Sequence, residues 1–185
     1  MASPEAIADM GATLLKLVQH GLTGVVDPTA VFLSTPDDMK TFQPTVPSVT
    51  VFLYHVSLNP ELRNTLPPSG KGTRPLLPIE LRYLITPWAK QIADTHKIVG
   101  YVLRALYQKA SLVRAELSGS SWADHDTAQI LLESMPIEDH YSIWEPTEIP
   151  YRLSLSYVVR VMGIDSGQVS PAPPVVNAVF GGPVP

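Results

Sequence analysis

Residues 150–165 read Pro-Tyr-Arg-Leu-Ser-Leu-Ser-Tyr-Val-Val-Arg-Val-Met-Gly-Ile-Asp. Tyr151, Leu153, Leu155, Tyr157, Val159 and Val161 fall on one face of an extended chain, and Arg152, Ser154, Ser156 and Arg160 on the other. That period of two predicts a strand with one buried face. At about 3.3 Å per residue it spans roughly 45 Å, against a usual ~17–20 Å, so it is expected to bend or to run past its own sheet. The twenty residues after Asp165 carry no charge and contain five prolines.

Working outward, Leu77–Ala89 holds a second clear strand, Ile79–Thr86, expected to end at Pro87. Ile79, Leu81, Tyr83 and Ile85 share one face, and Glu80, Arg82 and Thr86 the other. Val49–Val56 is rich in β-branched and aromatic residues and apolar on both faces, which predicts a central strand. Ala30–Leu33 reads as a short edge strand and Ala128–Met135 as a further strand. Ser34–Pro47 and 59–72 read as turn-rich loops.

Ser3-Pro4-Glu5 supplies a hydroxyl cap, a proline and an acid for a first helix, with Ile7, Met10, Leu14 and Leu17 as its stripe and Gly21 as its stop. Trp88 leads into a second, long helix whose expected stripe is Ile92, Val99, Leu103 and Leu106, with His96 on the same face. Ser111–Leu117 reads as a further helical piece, and Pro136–Trp144 as a short helix. Strands and helices mix without a regular βαβ alternation. This predicts an α+β domain, helices packed on a mainly antiparallel sheet, over residues 1–165. Residues 166–185 follow it as a proline-rich, extended C-terminal arm.

Composition narrows the function. Hydrophobic residues are 45% of the 185 and charged residues only 16%, against about a quarter in ordinary soluble domains. Such a surface suits a chain covered by partners, although a large core dilutes charge too. The net charge of −4 argues against nucleic acid. The absence of cysteine removes disulfides, thiolate metal sites and cysteine nucleophiles. With no basic residue before Lys16 no secretory signal is expected, and no apolar run is long enough for membrane insertion.

Chemistry-bearing motifs are weak. Ser69–Arg74 (SGKGTR) lacks the first glycine of a phosphate loop and reads as a turn. The five histidines, His20, His55, His96, His125 and His140, form neither H-x-H nor H-E-x-x-H. Ala123–Asp126 (ADHD) groups two carboxylates with an imidazole, a pattern that also describes a solvated turn. No G-x-S-x-G elbow is present. The residues point to no enzyme, cofactor or metal.

The arm is a different matter. Val175, Val176, Val179 and Phe180 would stand exposed if it waved freely in water, whereas burying each contributes about 1.5–3 kcal/mol. Ordering the chain costs on the order of 1 kcal/mol per residue, so the balance is close unless backbone hydrogen bonds join in. An arm adding a strand to another subunit is one such case. A linker remnant is the plainer alternative.

Three stretches carry a resemblance: IADMGATLLKLVQHGL near the N-terminus, LPIELRYLITPWA (77–89) and IPYRLSLSYVVRVMGID (149–165), with VTVFLYHV (49–56) between the first two. In that order and spacing, over about residues 5–165, the chain resembles the N-terminal domain of cap, or tube-terminator, proteins of extracellular contractile injection systems. These phage-tail-like particles include the virulence-cassette and antifeeding-prophage types. The resemblance implies a structural protein with the fold of phage tail terminators. It implies a homohexameric ring on the baseplate-distal end of the inner tube, in contact with tube and sheath proteins, ending polymerisation and holding the sheath. It implies no reaction or cofactor, and synthesis in the cytoplasm before the particle is released or held at a membrane. The other reading is an adaptor that anchors such a particle to a cell or membrane component through the arm. Interface candidates are Glu80, Arg82, Trp88, Arg152, Arg160, Val175, Val176, Val179 and Phe180. The charged ones are read as setting register at an interface or, equally, as solvated.

Overall fold

The computed structural model describes residues 2–59, 61–62, 76–165 and 167, the Met162 side chain excepted. Its elements are α1 (Ala6–Gly21), β1 (Val31–Leu33), α2 (Pro36–Thr41), β2 (Ser48–Leu58), β3 (Leu76–Trp88), α3 (Ile92–Gln108), β4 (Ser111–Leu112), β5 (Ala128–Leu132), α4 (Ile137–Trp144) and β6 (Leu155–Asp165). The six strands form one sheet in the order β1-β2-β3-β6-β5-β4. Only β1 and β2 pair in parallel; every other neighbour is antiparallel. The α+β architecture expected from the strand periods is the one observed.

The period-two faces of β3 and β6 meet in register. Leu81 stands opposite Val159, Tyr83 opposite Tyr157 and Ile85 opposite Leu155. These side chains, with Val49 and Val51 of β2 and Ile130 of β5, face α1 and α3 and make the core. From α1 come Ala6, Met10, Leu14 and Val18, and from α3 Ile98, Val102 and Leu106. α1 and α3 also touch each other: a Cβ on Gly21 would lie 2.3 Å from Ala105 Cβ, so only glycine allows that approach.

Several local expectations are corrected. α1 starts at Ala6 with Glu5 as its cap residue; the Ser3 hydroxyl donates to the Glu5 carboxylate instead of capping the helix. The loop 34–47 contains α2, closed by a Thr35–Asp38 capping box. β3 runs through Pro87 to Trp88, because past Ile85 it pairs with β2 alone and a missing N–H is tolerated on the free side. Pro78 is likewise accommodated, at a register shift between Leu77 and Ile79.

α3 buries Ile98, Val102 and Leu106, not the phase through Ile92 and Val99. Ile92 is 75% exposed at the helix start, and His96 is exposed too. Ser111–Leu117 is β4 followed by a single 3-10 turn, not a helix. β5 stops at Leu132, short of Met135. β6 begins at Leu155, so the expected strand loses its first residues: Tyr151 leaves the sheet to pack on the His140, Tyr141 and Trp144 rings of α4.

Candidate assembly surface

On the sheet's other face, one end carries α2, with Met39 Sδ 3.8 Å from Thr50 Oγ1 of β2. The opposite end carries a polar cluster built by register. Glu80 of β3 stands opposite Arg160 of β6 and Ser57 of β2. Arg160 Nε donates to Glu80 Oε1 at 2.9 Å, and Asn59 Nδ2 donates to the same oxygen at 3.0 Å. Arg82 Nη2 reaches Glu80 Oε2 at 3.4 Å, while its Nη1 pairs with Glu133. The Tyr54 hydroxyl donates to Glu133 Oε2 at 2.9 Å, and Ser156 Oγ donates to it at 2.7 Å.

The cluster is thus two guanidiniums and two carboxylates, neutral in sum. The carboxylate side chains are 10% and 13% exposed, those of Arg82 and Arg160 29% and 36%. Isolated surface pairs contribute little, but carboxylates this covered rely on their donors. Three of the sequence candidates, Glu80, Arg82 and Arg160, are therefore brought together and satisfied within one chain.

Asn59, Glu133 and Tyr54 complete the cluster and were not among the sequence candidates. A signal for Tyr54 lies in the apolar phase of β2. Val49, Val51 and Leu53 occupy odd positions, but Val56 and Leu58 occupy even ones. The change of phase is a β-bulge at Tyr54, which sets Tyr54 and His55 against the single Arg82.

Trp88 and Arg152 lie at the other end. Trp88 is buried, its indole N–H donating to Thr50 Oγ1 at 2.9 Å and its ring meeting Phe42 edge-on at 5.2 Å. Arg152 sits outside, its guanidinium carbon 4.3 Å from the Trp88 ring centroid. Beneath α4, Trp144 Nε1 donates to Ser154 Oγ at 3.3 Å, and Ser154 Oγ lies 3.0 Å from His140 Nε2. Burial lowers the His140 pKa and pushes the Tyr157 phenol up to about 12.

Val175, Val176, Val179 and Phe180 lie outside the described residues, as does 69–74. Ala123–Asp126 is a turn in which the Ala123 N–H donates to Asp126 Oδ2 at 2.7 Å. Among the described residues no group of three or more His, Cys, Asp or Glu is placed to hold a metal ion, and no helix is long and apolar enough to cross a membrane.

The family model of the Pvc16 N-terminal domain matches residues 9–178. The chain belongs to that family. The Pvc16 N-terminal domain match reaches past Asp165 into the proline-rich segment. Among solved structures, the fold is similar to the PVC sheath/tube terminator of an extracellular contractile injection system in the extended state. The TM-score is 0.59 and the identity 20%, over 94% of this chain and 63% of that one. It is also similar to the anti-feeding prophage cap, the AFP tube-terminating cap, with a TM-score of 0.56 and 20% identity over 90% of this chain and 59% of that one. The chain spans about three-fifths of the length of these two structures. No curated protein matches it by sequence.

Proposed function

We propose that this domain is a structural cap of a contractile injection system. Copies of it form a hexameric ring on the baseplate-distal end of the inner tube, stop tube and sheath polymerisation, and hold the last sheath ring. The observation that carries the reading is the family match over residues 9–178, joined to a fold shared with a sheath/tube terminator and a tube-terminating cap. It acts by contact, without catalysis or cofactor. Its partners are other copies of itself, the tube protein and the sheath protein, within a phage-tail-like particle.

Physical features agree with this role. A terminator must match the tube on one face and offer no equal surface on the other, since otherwise growth continues. Head-to-tail contacts between copies close into a ring when the rotation per copy returns to the start. Residues 1–165 form the domain in this reading, and 166–185 an arm that reaches a neighbour.

The test is reconstitution with purified inner tube. Electron microscopy of the mixture gives tubes ending in a sixfold ring and a narrowed length distribution. Tubes that elongate unchanged, with bare ends, overturn the proposal.

A further inference from the structure

The outer edge of β5 is only half covered. β6 pairs with all five of its residues, but on the other side β4 reaches only Ala128 and Gln129. The Ile130 N–H closes that side with a 2.8 Å bond to Ala110 O. Beyond it, no strand among the described residues pairs with the outer side of Leu132, whose backbone groups point away from β6. Open edges are ordinarily guarded by charge or proline. Here the open position is a leucine, and the carboxylate of the adjacent Glu133 is engaged by Arg82.

Beside the edge lies an apolar groove of about 600 Å³, lined by Leu103, Leu106 and Tyr107 of α3 and by Ile130, Leu132 and Tyr157 of the sheet. Tyr107 is 85% exposed and Leu132 54%. The one charged side chain at its border, Arg104, has its guanidinium over the Tyr101 ring. An edge with free backbone groups next to apolar pockets is the arrangement that accepts an added strand.

The chain holds a segment of matching chemistry. Val175-Val176-Asn177-Ala178-Val179-Phe180 is uncharged and free of proline, between Pro174 and Gly181. Extended, it presents Val176, Ala178 and Phe180 on one side, needing no counter-charge from the groove. In the ring reading it serves a neighbouring copy. The groove lies where β6 begins, with Tyr157 opposite Leu132. β6 then carries the chain away, and Asp165 ends about 26 Å from Tyr157 at a strand's rise per residue. From Asp165, ten extended residues reach roughly 31 Å. A donor leaving one end of the subunit and a receptor at the other make a head-to-tail contact.

We infer that residues 175–180 of a neighbouring copy add as a strand to the outer edge of β5 and fill the groove beside α3. This rests on the ring reading above and gives it a specific contact. Because the chain has no cysteine, the contact is mapped with single-cysteine variants. Leu132→Cys is mixed with Val176→Cys, and separately with Val179→Cys, under mild oxidation. Ile137→Cys, exposed on α4, replaces Leu132→Cys as the control.

The expected result is an intermolecular disulfide in at least one Leu132→Cys mixture, about tenfold more abundant than in the control, since docking raises the local thiol concentration. Equal yields overturn the docking. So does a Leu132→Cys/Val179→Cys double variant that closes only within one chain. Electron microscopy of the unmodified protein with tube separates the two readings. Capped tubes without the disulfide refute the strand contact alone; the disulfide with bare tube ends supports the contact and refutes the cap.

Discussion

Glu80 and Arg160, eighty residues apart in the chain, stand directly opposite each other on β3 and β6 and share a 2.9 Å hydrogen bond. The same carboxylate also receives Asn59 and Arg82. A single side chain thereby ties three strands' worth of polar groups to one register.

Removing it leaves two guanidiniums and an amide short of an acceptor. Glu80→Ala is expected to lower stability by about 1–3 kcal/mol, the cost of leaving partly buried donors unmet. Glu80→Gln costs less, since an amide oxygen still accepts. A double-mutant cycle with Arg160→Ala gives a coupling of about 1 kcal/mol in urea unfolding. A coupling indistinguishable from zero would mean that solvent already supplies what Arg160 offers.

Much of this was legible in the sequence, and the reason is local. In β3, Ile79, Leu81, Tyr83 and Ile85 alternate with Glu80 and Arg82, so face assignment follows from the pleat alone. The alternation names which charges share a face, but not which strands are neighbours, so the link from Glu80 to Arg160 and from Arg82 to Glu133 was out of reach. The α3 phase is ambiguous in the sequence for another cause. Ile98-Val99 and Val102-Leu103 are apolar doublets, so two stripes one residue apart are equally hydrophobic. Packing against α1 and the sheet chooses Ile98 and Val102. At 151–154 the strand pattern continued while the rings of α4 drew Tyr151 away, a tertiary contact overriding propensity.

The Trp88 corner makes a second prediction. Thr50 Oγ1 is fully buried, and the Trp88 indole is its hydrogen-bond donor. Trp88→Phe keeps an apolar ring against Phe42 but removes that donor and some volume. A loss of about 1–3 kcal/mol is expected, read as a lower urea midpoint at unchanged slope. Arg152→Ala, which uncovers the ring without emptying the corner, is expected to cost less, at about 0.5–1 kcal/mol.

Two glycines in helices predict opposite signs. Gly21 ends α1 where it crosses α3, and a methyl there would overlap Ala105 Cβ at 2.3 Å. Gly21→Ala therefore forces the helices apart and is expected to destabilise by about 1–3 kcal/mol. Gly100 lies inside α3, exposed, with nothing within 4 Å of the added carbon. Gly100→Ala gains helix propensity at no steric cost, about 0.5–1 kcal/mol of stability. Thermal melts that move in the same direction for both would contradict this packing.

His140 predicts a pH dependence. It is buried under the Tyr151 ring with Nε2 toward Ser154 Oγ, and desolvation lowers its pKa below the ordinary 6.5. Between that value and the lower folded one, the unfolded chain binds a proton that the folded chain refuses. Stability is therefore full above about pH 6.5 and falls as the pH drops through this window. Asp9, Asp27 and Asp38, whose pKa values are lowered by hydrogen bonds from Ser121, Thr29 and Thr35, act separately, losing their contribution below the ordinary aspartate value of 3.8. The unfolding midpoint should thus decline in two stages on acidification. His140→Gln removes the first stage and leaves the second. A variant that keeps the decline just below pH 6.5 would place its origin in another group.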